Sequence, residues 1–213
     1  MISAKFDQVG IILCLGAHAD DIEIGCGGTI LKLLQQHKGV QVYWVVLSAT
    51  DQRAEEARRS AQQFLAGAAA SKVIVKEFRD SYFPYTGDVI KDFFFELQND
   101  VQPDVVFTHR REDLHQDHRL VSELTWNTFR DHLILEYEIS KYDGDLGQPN
   151  VFVPIDEPTC QRKINTIVES FQSVLGKPWF TEDAFWALLR IRGVECKSSS
   201  KFAEGLYCRK MIL

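Results

Sequence analysis

The chain is 213 residues long, 45% apolar and 25% charged, which suits one globular domain, 1–213, with a substantial core. Its formal net charge is -6 and it has no block of Lys or Arg, which argues against a nucleic-acid binder and against an anionic membrane surface as main partner. No apolar run approaches the roughly 18 residues that stable membrane insertion needs. Cys14, Cys26, Cys160, Cys196 and Cys208 show no C-x-x-C spacing and read as reduced thiols of a cytoplasmic protein.

At the N-terminus, Lys5, the apolar Val9–Leu15 and Ala17-His18-Ala19 imitate a secretory signal with a small-residue cleavage site. Asp7 offsets the positive charge, and cleavage would take His18 out of an acidic cluster, so the segment is expected to stay with the protein. Val9–Leu15 reads as a strand buried on both faces, ended by Gly16. Thr29–His37 reads as a helix stopped by Gly39, with Gly25, Gly27 and Gly28 lying either in a loop before it or in a tightly packed first turn. Val42–Leu47 is a second buried strand, and Arg53–Leu65, rich in Ala, Glu, Arg and Gln, a helix.

Val73–Val75 is a short strand and Val89–Leu97 a helix. Asp104–Thr108 is a buried strand followed by a polar loop, His109–Asp117, and then a helix, His118–Phe129. Leu133–Tyr137 gives another strand, Tyr142–Pro158 a decorating loop, and Gln161–Leu175 a helix ended by Gly176. Strands alternating with helices predict an α/β fold, a Rossmann-like three-layer sandwich around a mostly parallel sheet. Ligands of such sheets bind beyond the carboxyl ends of strands. That is where two polar clusters fall.

The first cluster is His18-Ala19-Asp20-Asp21-Ile22-Glu23. A helix cap needs one such residue, not a histidine and three carboxylates. In a helical turn His18 and Asp21 share a face and can bind one ion, leaving Asp20 for a bound water. The second cluster, His115-Gln116-Asp117-His118-Arg119, places two histidines three apart, a spacing for metal binding or proton transfer. Two imidazoles and one carboxylate leave an open position, as in catalytic zinc sites. Zinc then lowers the pKa of its water from about 15.7 toward 7.

Ala17–Glu23 reads A-H-A-D-D-I-E and is followed by Gly25-Cys26-Gly27-Gly28-Thr29; Arg53 and Glu56, Asp80, Pro103-Asp104-Val105-Val106, and His109 with Asp113 through His118 come next. Arg192-Gly193 and Phe202-Ala203-Glu204 close the set. In this combination the chain resembles the PIG-L/LmbE family of metal-dependent N-acetyl-sugar deacetylases over almost its whole length. The resemblance implies His18, Asp21 and His118 as metal ligands and Asp20 as general base. It implies His115 as the group that stabilises the oxyanion and protonates the leaving amine. Asp117 is expected to orient His115. Arg53 is a candidate substrate contact or an ion-pair partner of Glu56, and Arg192 a substrate contact or a loop buttress. His109 and Asp113 are expected to shape the second loop. Two departures stand out: Ala19 replaces the usual proline and Phe202 the usual tyrosine.

The implied cofactor is Zn2+, with Fe2+ able to take its place. The implied partner is a small N-acetylated amino sugar or a glycoconjugate of N-acetylglucosamine type, and the sequence is compatible with a homo-oligomer. A non-haem iron oxygenase could also use two histidines and a carboxylate, here His18, Asp20 and His118, but the alternation of strands and helices is not that of the barrels such enzymes use. A nucleotide binder is disfavoured because Gly25-x-Gly27-Gly28 is not G-x-G-x-x-G, and a non-catalytic sugar-binding relative is expected to lack one of these groups. The loop Tyr142–Pro158 is the expected seat of substrate choice.

Overall fold

The computed structural model describes residues 9–212 and contains one seven-stranded sheet, in the order β3-β2-β1-β4-β5-β7-β6. The strands are β1 (Ile11–His18), β2 (Gln41–Ser48), β3 (Ala70–Val75), β4 (Val105–His109), β5 (Leu133–Tyr137), β6 (Val151–Ile155) and β7 (Phe202–Cys208). The helices are α1 (Asp21–Gln36), α2 (Asp51–Phe64), α3 (Gly87–Asp100), α4 (Gln116–Thr128), α5 (Glu157–Ser170) and α6 (Glu182–Glu195). The first five strands pair in parallel, and β7 runs antiparallel to both β5 and β6. Lys5 and Asp7 of the signal-like segment lie outside the described residues. Among the described residues, no helix is long and apolar enough to cross a membrane.

Alternation along the strands sorts the core into two layers. Ile12, Cys14, Val42, Trp44, Val46, Val105 and Phe107 pack with side chains of α1, α2, α5 and α6. Leu13, Leu15, Ala17, Val45, Leu47 and Val106 face the other way, against α3 and α4. The sheet is therefore covered on both faces, as all-apolar parallel strands require. Chain order runs outward from β1 through β2 to β3, then returns to β4 and runs outward through β5. The carboxyl ends of β1 and β4 thus lie side by side at a topological switch point.

Several elements differ from the sequence reading. β1 does not stop at Gly16. Its ladder with β2 continues through Gly16–Val46 to His18–Ser48, so His18 closes a strand rather than opening a helical turn. α1 begins at Asp21, eight residues before Thr29, and takes in the three glycines. They are helical because neighbours press on that backbone: a Cβ on Gly25 would lie 2.1 Å from Tyr137, and one on Gly27 2.6 Å from Phe64. β6 lies within the Tyr142–Pro158 segment expected to be loop, and α6 and β7 follow it without having been anticipated.

One buried ion pair ties these late elements to α1. Lys163 of α5 donates to Glu204 of β7 at 2.6 Å and to the Ile24 carbonyl at 2.7 Å. Glu204 in turn accepts from the Gly28 and Thr29 amides at 2.8 and 2.7 Å and from the Thr29 hydroxyl. Removing one partner of a buried pair leaves the other charge uncompensated, which typically costs about 3–5 kcal/mol. Lys163→Met is therefore expected to lower unfolding stability by about that much, measured as a shift of the urea midpoint.

Candidate metal centre

The two polar clusters meet. His18, at the end of β1, turns Nδ1 toward His118 Nε2 at 3.2 Å and toward Asp21 Oδ2 at 3.4 Å. His118 Nε2 lies 3.5 Å from Asp21 Oδ1. Donors about 2.0–2.1 Å from a tetrahedral ion stand roughly 3.3–3.4 Å apart, and these separations, reached through both oxygens of Asp21, are of that size. His18 with His115 and His118, and Asp21 with His109 and His118, also bring donor atoms within 4.8 Å of one another. The remaining imidazole nitrogens are held by carboxylates. His118 Nδ1 is 3.0 Å from Asp113 Oδ2, and His18 Nε2 is 3.2 Å from Asp117 Oδ2 and 3.1 Å from Asp80 Oδ1. A carboxylate on one nitrogen places the proton there and frees the lone pair of the other, the arrangement found behind metal-ligating histidines. The donor set and its supports fit a divalent ion.

Charges follow from this packing. Burial opposes the His18 imidazolium, but hydrogen bonds to Asp117, Asp21 and Asp80 outweigh it and hold His18 well above the usual histidine range. Burial, with His109 beside it, pushes His118 down to about 4. Burial likewise works against the Asp21 carboxylate, yet His118 and His109 hold Asp21 well below its ordinary value. The hydrogen bond from His18 keeps Asp80 at about 2.

Asp20 sits just before α1 and is buried. Its Oδ1 accepts from Arg53 Nη2 at 3.2 Å, and its Oδ2 has no hydrogen-bond partner among the described residues. Burial raises its pKa, with Arg53 pulling the other way. His115 is the N-terminal cap of α4, its Nδ1 accepting from the Asp117 amide at 3.3 Å. That bond assigns the proton of a neutral His115 to Nε2. Burial, and then the facing His18, lower His115.

Asp117 requires a correction. Its main chain, not its carboxylate, orients His115, because the carboxylate is already committed to His18 and to the amides of Ser81 and Phe83, at 2.7 and 3.1 Å. Arg192 requires another. It is buried on α6, forked onto Glu138 at 2.6 and 2.8 Å, and bonded to Glu195 and the Gly147 carbonyl. It buttresses a loop and is not among the residues lining the cavity over the histidines.

That cavity, of about 490 Å3, is lined by His18, Asp20, Asp21, Arg53, Asp80, His115 and His118, with further walls from Ile139, Lys141, Tyr142 and Asp143 and from Ser173, Val174, Lys177 and Trp179. Arg53 lines it and also stands 3.9 Å from Glu56, which is the ion-pair reading of that residue. His109 does more than shape the loop. Its Nε2 accepts from the Ala17 amide at 2.9 Å and lies 3.2 Å from Asp21 Oδ2, and its ring stacks on His118 with centroids 3.9 Å apart. Its position at the end of the apolar β4, the feature that marked His18, could have singled it out.

Residues 13–129 match the family described as PIG-L: GlcNAc-PI de-N-acetylase. The chain is 31% identical over 120 residues to diacetylchitobiose deacetylase of Thermococcus kodakarensis, an alignment spanning 49% of this chain and 42% of that protein. The match thus covers well under half of that curated relative. The fold superimposes on N,N'-diacetylchitobiose deacetylase from Pyrococcus horikoshii, solved with an inhibitor, with a TM-score of 0.73, 24% identity and coverage of 95% and 85% of the two chains. It also superimposes on GalB, the 4-carboxy-2-hydroxymuconate hydratase of Pseudomonas putida KT2440, at 0.75, with 20% identity and coverage of 95% and 97%. At these identities the two structures speak to the fold alone.

Glu23, two residues after Asp21 in the first turn of α1, is fully buried, and burial pushes it up to about 8, with the Ser60 hydroxyl pulling the other way. The folded protein therefore keeps a proton that the unfolded chain loses at the ordinary 4.5. The stability this contributes is present in full below that value and is lost as pH rises through 8. Wild-type urea midpoints are expected to fall between about pH 5 and about pH 8 by more than those of Glu23→Gln, which has no carboxyl to ionise.

Proposed function

The chain belongs to the PIG-L family, and from that premise we propose that it is a metal-dependent N-deacetylase that releases acetate from an N-acetylglucosamine-type sugar or its conjugate. The observation that carries this reading is the convergence of His18 Nδ1, His118 Nε2 and Asp21 beside a buried carboxylate oxygen of Asp20 that has no partner among the described residues. The reading leans on the family match rather than on the fold, because a hydratase shares that fold.

His18, Asp21 and His118 would hold the ion, a donor set that suits zinc and that ferrous iron could also use. When bound, such an ion supplies a Lewis acid and makes a nearby water more acidic. Asp20 takes the proton of the attacking water at Oδ2, its raised pKa bringing it closer to the working range of a base. Arg53 fixes the other oxygen of that carboxylate and so limits how the group can turn. His115 presents Nε2–H to the developing oxyanion. With Nδ1 accepting from the Asp117 amide, His115 stays neutral, and the proton that Asp20 took from the water passes to the leaving amine as the carbon–nitrogen bond breaks, giving acetate and a free amino sugar. Asp113 and Asp117 keep the two ligand imidazoles in the tautomers that binding requires.

Acetate release from a panel of N-acetylglucosamine conjugates, with elemental analysis of the purified protein, tests the reading; a protein that binds neither zinc nor iron and deacetylates nothing in the panel would overturn it. Asp20→Asn is expected to keep its metal while turnover falls about 100- to 10,000-fold, checked by metal content and kcat on the same preparation. His118→Ala, in contrast, should lose both metal and activity, with metal content after dialysis against a chelator as the measurement.

A further inference from the structure

Lys141 lies in the connection between β5 and β6, and its ammonium stands among three carboxylates. It is 3.1 Å from Asp113 Oδ1 and 3.9 Å from Asp143 Oδ2, and bonds directly to Asp145 Oδ2. The side chain is only 10% exposed, yet Lys141, Tyr142 and Asp143 form one wall of the cavity. The carboxylates it joins hold consecutive amides of the loop before α4. Asp145 accepts from Leu114 at 2.7 Å and Asp113 from His115 at 2.8 Å. The second oxygen of Asp113 is the one that orients His118.

We propose that Lys141 is a positioning residue, the cation that lets Asp113 and Asp145 share one small space and so fixes the loop that ends at His115 and, through Asp113, the His118 ring on the first turn of α4. Two carboxylates brought together without a countercharge repel, and one must take up a proton or move away. Either response disturbs Asp113, the support of His118, and shifts the amides that seat His115. The wall against which a substrate rests is thereby joined to the ligand through three side chains. Nothing in the sequence pairs Lys141 with Asp113, 28 positions earlier.

The inference rests on the metal reading above, and the experiment separates the two. Zinc affinity, by competition with a chromophoric chelator, and steady-state kinetics are measured for wild type, Lys141→Met, Lys141→Arg and the double variant Lys141→Met/Asp145→Asn. Lys141→Met is expected to bind zinc about 10- to 100-fold more weakly, as when the support of a metal-ligating side chain is lost, and to lower kcat more than it raises KM. Lys141→Arg keeps the charge and should stay near wild type. The double variant relieves the repulsion while an asparagine oxygen can still accept from the Leu114 amide, so it should recover most of the lost affinity even if the single variant folds poorly. Wild-type zinc affinity in Lys141→Met, or no recovery in the double variant, overturns the positioning role and leaves the metal reading standing. A wild type that binds no zinc removes both.

Discussion

Two imidazole nitrogens face each other at 3.2 Å across the Asp21 carboxylate, and the surrounding polar structure is organised around that juxtaposition. Two lone pairs so close repel unless a proton or a cation lies between them. Meanwhile each ring is prevented from turning away: Asp113 holds the far nitrogen of His118, and Asp117, with Asp80, that of His18. Asp117 is anchored by two amides of the 81–83 segment and Asp113 by Lys141 and the His115 amide. His109 closes the back by stacking on His118. A proton on His18 Nδ1, donated to His118 Nε2, relieves this conflict, and a metal cation seated between the same donors would relieve it as well.

The sheet makes this juxtaposition possible. His18 and His118 are 100 positions apart, and they meet because β1 and β4 are parallel neighbours whose ends lie at the point where strand order reverses. Had β1 ended at Gly16, His18 would hang in a loop. Instead its backbone is pinned in the ladder opposite Ser48, and only the side chain is left to choose a direction. Asp21 then follows as the first residue of α1, so a strand end and a helix start fix two of the proposed ligands within four residues.

Much of this was legible in the sequence because it is written in local pattern. Apolar runs of strand length gave β1, β2, β4 and β5, and the dense polar clusters after two of them gave the candidate ligands. What escaped lacked a local signature. β6 carries Pro154 and sits among Asp, Gly and Pro, which reads as loop. A proline is tolerated there because β6 is an edge strand, with no ladder partner on its outer side. The glycines of α1 read equally well as loop or helix, since what makes them helical is pressure from Tyr137, Phe64 and Glu204, which lie far along the chain. Arg192 carried a motif signal but no information on whether its guanidinium would find a ligand or two glutamates. Lys141 acts through contacts that no spacing reveals.

The division of labour within the cavity follows from the same contrast. Its floor is made of element ends: the last residue of β1, the start of α1 and the cap and first turn of α4. These are rigid because ladders and helix bonds fix their backbone. Two of its walls, one from Ile139 with Lys141–Asp143 and one from Ser173, Val174, Lys177 and Trp179, come from connections outside the strands and α-helices except for one short 3-10 turn, and they contribute Tyr142, Lys177 and Trp179. Irregular chain can change length and side chains without disturbing the sheet. A fold with a rigid floor and walls of irregular chain can host different substrates on one architecture, and a deacetylase and a hydratase both superimpose on this chain. Lys141 belongs to the wall yet is ion-paired to Asp113 behind the floor. In the proposed enzyme it therefore marks the place where a change made for substrate choice would also be felt by the metal.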